Sequence, residues 1–104
     1  MILAIAAQSP VDDQGRLLHA GDVAAQLALT VTKVDQVVRD AGLAMGDLTH
    51  LRIRTTDVAA LHDAYEVLTE HLAACGAAPP VTVVEVDRLA DPEMVVTIDG
   101  LAVG

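Results

Sequence analysis

Leu48-Thr49-His50-Leu51-Arg52-Ile53-Arg54-Thr55-Thr56, followed by Asp57, reads as a strand running straight into a helix cap. Leu51, Ile53 and Thr55 alternate with His50, Arg52, Arg54 and Thr56, the period of two that gives a strand one apolar and one polar side. Thr56 or Asp57 offers a side-chain acceptor to the free amides of a helix whose apolar stripe is Leu61, Ala64, Tyr65, Leu68 and Leu72. That helix ends near Gly76, and Pro79-Pro80 prevents its continuation. Two more strands follow, 81–86 and 94–101, separated by the acidic, proline-containing loop 87–92. On the other side of the central strand, Val23, Leu27, Val31, Val34, Val38 and Ala41 recur every three or four residues, between a capping Asp22 and a closing Gly42. The opening run Met1–Ala7 reads as a buried strand that begins at the first residue, and Gln8–Gly15 is turn chemistry leading into a short strand at Arg16–His19, a hairpin with a wide connection. The order is strand, strand, helix, strand, helix, strand, strand. This is an α/β (α+β) domain with two helices on one face of a single sheet, so the second face is either solvated or buried by another subunit.

The 104 residues carry a formal charge of −9, are 53% hydrophobic, and include one Tyr and no Trp or Phe. One domain fits this length. An aliphatic core without large aromatics is thin for its size, which favours further burial in an oligomer. Carboxylates outnumber cations 15 to 6, which argues against a nucleic-acid partner, since such binding draws on clustered Lys and Arg. No apolar run is long enough to span a bilayer. Cys75 is the only cysteine, and the apolar start lacks the basic flank of a secretion signal, so a cytoplasmic location is expected.

Several stretches in this order resemble the Rid (YjgF) family of reactive-intermediate deaminases, also called L-PSP endoribonuclease-like proteins. They are Gly21-Asp22-Val23-Ala24-Ala25-Gln26, Ala41-Gly42 with Asp47, Thr55-Thr56-Asp57, Leu89-Ala90-Asp91-Pro92 and Val95 to Val103. The resemblance covers nearly the whole chain. It implies a chorismate-mutase-like fold with a mixed sheet, assembled as a homotrimer in which three sheets form an inner barrel and ligand pockets lie in the clefts between subunits.

The family's deaminases hydrolyse imines and enamines of amino acids, with an arginine for the substrate carboxylate and a late-strand glutamate near the attacking water. A guanidinium grips a carboxylate through two parallel hydrogen bonds, and a carboxylate can orient water and move protons. The family's Pro-x-Arg is here Pro79-Pro80-Val81, and its Val-Glu-Ile-Glu is Val96-Thr97-Ile98-Asp99. An asparagine on the first helix is replaced by Lys33, and Ser-Gly-Gln after the early strand by Ala6-Ala7-Gln8. Losing a charged hydrogen bond to a carboxylate costs on the order of 2 to 5 kcal/mol, about a thousandfold or more in binding at the upper end. The resemblance therefore implies a noncanonical member. It would bind or act on a small metabolite, an imine, enamine or carbonyl intermediate, through Gln8, Arg52, Arg54, Val81, Thr82 and Thr97. The alternative is a catalytically silent trimer serving as a ligand-binding or protein-interaction module. Ribonuclease activity conflicts with the charge balance.

Arg54, Thr97 and Lys33 are the candidates for any remaining chemistry. Arg54 either replaces the lost carboxylate anchor or pairs with acids on a hydrated face. Thr97 either positions a water or is an ordinary β-branched strand residue. Lys33 either binds an anion or forms a Schiff base, or it belongs to a solvated helix surface. No cofactor is expected. No metal is expected either, because His19, His50, His62 and His71 do not pair on a helix face and Cys75 shows no nearby Cys or His partner. With a single serine and no Gly-x-Ser-x-Gly elbow, a serine hydrolase is excluded at the level of motif.

Overall fold

A computed structural model describes all 104 residues. Its strands are β1 (Ile2–Gln8), β2 (Leu48–Thr55), β3 (Val81–Glu85) and β4 (Val96–Val103). Its helices are α1 (Val23–Asp40), α2 (Val58–Ala64) and α3 (Glu66–Ala74), and a short 3-10 turn at Met45–Asp47 leads into β2. The strands form one sheet in the order β1-β4-β2-β3. β4 is antiparallel to both β1 and β2, whereas β2 and β3 are parallel and are joined through α2 and α3, as a parallel pair requires. The mixed sheet with helices on one face is the expected fold class.

All the helices pack on the side of the sheet that presents Leu51, Ile53 and Thr55. Leu27, Val31, Val34 and Val38 from α1 meet Leu61, Leu68 and Leu72 from α2 and α3 and Val96, Ile98 and Ala102 from β4 in one buried cluster. Asp22 and Asp57 cap α1 and α2 as the sequence indicates, their carboxylates accepting from the amides of Ala25 and Ala60. Buried among these aliphatics, Gln26 donates through Nε2 to the carbonyls of His19 and Glu93 and accepts from the Val95 amide through Oε1. One side chain thus ties two loops to α1.

Three departures from expectation have a local cause. Arg16–His19 is not a strand; only a single bridge, Val11 to Leu17, forms there. The reason is local. The Asp12 carboxylate accepts from the amides of Gln14 and Arg16 and from Arg16 Nε, and such side-chain bonding to nearby backbone competes with a strand ladder. The second helix is divided at Tyr65, whose amide bonds three residues back to the His62 carbonyl, but its stripe keeps one face. The last strand begins at Val96, because the Met94 amide closes a turn on Asp91. No helix is long and apolar enough to cross a membrane.

Candidate functional site

The open face of the sheet is where the polar side of β2 emerges. Cross-strand neighbours point to the same side, so His50, Arg52 and Arg54 share this face with Leu101, Asp99 and Thr97 of β4 and with Thr82 and Val84 of β3. Asp99 lies between the two arginines. Its Oδ2 accepts from Arg54 Nη1 at 2.7 Å, and both its oxygens lie 3.2 Å from Arg52 Nε. The carboxylate is 18% exposed, against 35% for the Arg54 side chain and 44% for Arg52. Two guanidinium groups share one carboxylate, so this cluster keeps one net positive charge on a chain whose formal charge is −9. Beside it, Thr97 is buried directly opposite Arg54, and His50 Nε2 lies 2.7 Å from the Thr82 hydroxyl.

The structure therefore brings Arg52, Arg54, Thr82 and Thr97 onto one surface. Val81 is not among them, because it pairs with Leu51 and packs against the core beneath the helices. Within one chain the sheet itself separates Val81 from Thr97. Gln8 lies at the irregular end of β1, its amide donating to the Ala6 carbonyl. Lys33 is half-buried, and its ammonium donates to the carbonyls of Ser9 and Val11 at 2.9 and 2.8 Å, pinning the 9–18 loop to α1. Two of its three donors are thereby engaged.

Two features escaped the sequence reading. Arg88 is the one cation with no ion pair or side-chain hydrogen bond, and it lines a surface depression of about 470 Å³ with Thr56, Asp87, Asp91 and Pro92. Its signal, a lone arginine in an acidic loop, does not reveal that its neighbours leave it free. The second is a correction. Cys75 does have a histidine partner, since His71 lies four residues earlier at the end of α3, and both converge on Asp35 of α1. The sequence reading gave Cys75 no nearby His partner, although His71 stands one helical turn before it.

The sequence model of the family described as Endoribonuclease L-PSP matches residues 1–104. The chain belongs to that family. The fold of this L-PSP-family chain is similar to that of Escherichia coli TdcF, solved with bound serine, at 28% identity and a TM-score of 0.89 over 99% of this chain and 80% of that one. It is also similar to the E. coli YjgF gene product at 26% identity, with a TM-score of 0.87 over 98% of this chain and 80% of the other. A Yersinia pestis protein of unknown function from the conserved Rid family, YyfB, aligns at 26% identity and a TM-score of 0.81, covering 97% of this chain and 77% of its own. The Rid relationship expected from the motifs is therefore established. Comparison with curated protein sequences finds no match.

Proposed function

We propose that this chain is a trimeric Rid-family protein that binds a small carboxylate-bearing carbonyl or imine metabolite in a cleft completed by a neighbouring copy, and that it is not a standard amino-acid imine deaminase. The observation that carries the reading is the Arg52–Asp99–Arg54 cluster with its surplus positive charge beside the Thr97 hydroxyl. A half-exposed guanidinium with unengaged N–H groups is suited to a carboxylate. Thr97 can hold a ligand oxygen or a water but cannot act as a base near neutral pH. That TdcF was solved with bound serine supports a carboxylate ligand here.

What the open face exposes supports this assembly. Ile2, Val84, Leu101 and Val103 are large, apolar and exposed. With the sheet positions between them, they form a surface that association with other copies would bury. Since Val81 and Thr97 are on opposite sides of the sheet, they line one cleft only when different copies contribute them. A silent trimer is the second reading, favoured by the pairing with Asp99, which on its own accounts for both arginines.

Calorimetric titration with pyruvate and with L-serine, on wild type and Arg54→Ala, separates the two. The metabolite reading expects saturable binding that weakens at least tenfold in Arg54→Ala. Absence of binding by either compound, or equal affinity in the variant, would sink it and leave the silent module.

A further inference from the structure

The helical layer, on the far side of the sheet from Arg54, holds a second cluster of chemically capable side chains. His71 and Cys75 are four residues apart, so both project from one side of the C-terminal end of α3. Asp35 faces them from α1. Its Oδ2 is 2.8 Å from His71 Nε2 and 3.8 Å from Cys75 Sγ, and the donor atoms of all three lie within 4.8 Å of one another. Its other oxygen, Oδ1, is fixed by Arg39 Nε at 2.8 Å. From this geometry we infer that Asp35, His71 and Cys75 form a binding site for a thiophilic divalent cation of the zinc class.

Bond lengths support the inference. Tetrahedral coordination at about 2.0 to 2.3 Å sets neighbouring donors roughly 3.3 to 3.7 Å apart. The Asp35–His71 pair at 2.8 Å must open slightly, the Asp35–Cys75 pair at 3.8 Å barely moves, and the His71–Cys75 pair, within 4.8 Å, closes by up to about 1 Å, changes within reach of side-chain rotation at a helix end. The donor set selects the metal class. One sulfur, one imidazole nitrogen and one carboxylate oxygen suit Zn²⁺ and its borderline neighbours, whereas Ca²⁺ and Mg²⁺ favour oxygen ligands. Arg39 supplies the outer contact that holds a ligating carboxylate in orientation.

The fourth position has somewhere to go. A surface depression of about 240 Å³, lined by Asp35, Arg39, Ala44, Met45 and Cys75, opens against the cluster and leaves room for water. Charge and protons balance simply. On binding, the Cys75 S–H bond breaks and a sulfur–metal bond forms, that proton passing to solvent, while the proton His71 Nε2 shares with Asp35 shifts by way of solvent to Nδ1 and frees Nε2 as a ligand, with no change of oxidation state. Thiolate, carboxylate and divalent cation then sum to zero beside a neutral imidazole. The metal would clamp the end of α3 to α1, independently of any ligand on the open face.

The test uses the intact protein under a reductant that does not bind metal. Zn²⁺ alone is titrated by calorimetry into wild type, His71→Ala, Cys75→Ser and the control His62→Ala, with circular dichroism confirming that each folds. Co²⁺ serves as the spectroscopic probe. One equivalent of Zn²⁺ should bind wild type and His62→Ala alike, at least tenfold more weakly in His71→Ala and in Cys75→Ser. The Co²⁺ form should show a thiolate-to-metal charge-transfer band that Cys75→Ser abolishes. Equal Zn²⁺ affinity in all four proteins, or a Co²⁺ spectrum without that band in wild type, would overturn the inference.

Discussion

Replacing Asp99 with asparagine keeps the side chain's shape and removes the negative charge held between Arg52 and Arg54. If Arg54 receives a ligand carboxylate, Asp99 competes for the same guanidinium and repels the incoming anion. For a carboxylate about 6 Å from Asp99, the repulsion amounts to about 0.7 kcal/mol at the dielectric of water and about 2.8 kcal/mol at an effective value of 20. The half-exposed setting of the pair places the effect between these limits, so Asp99→Asn should tighten pyruvate binding by about threefold to about a hundredfold. The same change should cost fold stability only about 0.5 to 1 kcal/mol, because both ion pairs are partly solvated. Calorimetric titration of wild type, Asp99→Asn and Arg54→Ala at low and at raised salt reads both the sign and the screening. The gain should shrink as salt rises. Unchanged or weaker binding in Asp99→Asn would show that Arg54 does not hold the carboxylate, or that Asp99 itself holds the ligand.

Other perturbations test the framework and the outlying groups. Gln26→Ala leaves the Val95 amide and the carbonyls of His19 and Glu93 without their partner, and urea unfolding should show a loss of about 2 to 4 kcal/mol; a loss below about 1 kcal/mol would mean that water replaces the side chain. A Cβ at Gly100 would sit 2.7 Å from the His50 carbonyl oxygen and 2.9 Å from Leu51 Cδ2, so Gly100→Ala should destabilise by about 1 to 3 kcal/mol, and wild-type stability in the variant would contradict the β2–β4 register. The Asp12 carboxyl is held below its ordinary value of 3.8, chiefly by the Arg16 amide and also by the Gln14 amide and the Arg16 side chain. Its contribution to stability is therefore complete above the unfolded value and disappears as pH falls through the lowered folded one. Wild type should lose more stability than Asp12→Asn in acid denaturation across that window, and parallel acid limbs would argue against the turn. Local desolvation first, and the Asp35 carboxylate second, push the thiol of the exposed Cys75 above its ordinary value, so without added metal it should react with iodoacetamide at neutral pH more slowly than a free peptide thiol, and faster in Asp35→Asn; a fast wild-type reaction would contradict this environment.

The sheet and its covered face were legible because their signals are local. The alternation from Leu48 to Thr56 and the three-to-four spacing from Val23 to Ala41 each place apolar side chains on one side without reference to anything distant. The short strand expected at Arg16–His19 failed for an equally local reason, the competing bonds of Asp12, which composition alone does not reveal. The site was legible only in part. Arg52 and Arg54 could be assigned to a common face, but their shared partner Asp99 depends on the register between β2 and β4, strands more than forty residues apart in the chain. Val81 and Thr97 both come from the motifs of the resemblance, but the side of the sheet that Val81 takes is set by parallel pairing with Leu51. The His71–Cys75 spacing was visible in the sequence, and only the packing of α1 against α3 brings Asp35 to it.

A crystal structure of the protein grown with pyruvate is the decisive experiment for the proposed site. The account expects three copies with their open sheet faces turned inward and a pyruvate carboxylate within hydrogen-bonding distance of Arg54, in a cleft that pairs Thr97 of one copy with Val81 of another. An assembly that leaves the open face in solvent, or a cleft packed shut by aliphatic side chains with Arg54 bound only to Asp99, would contradict it.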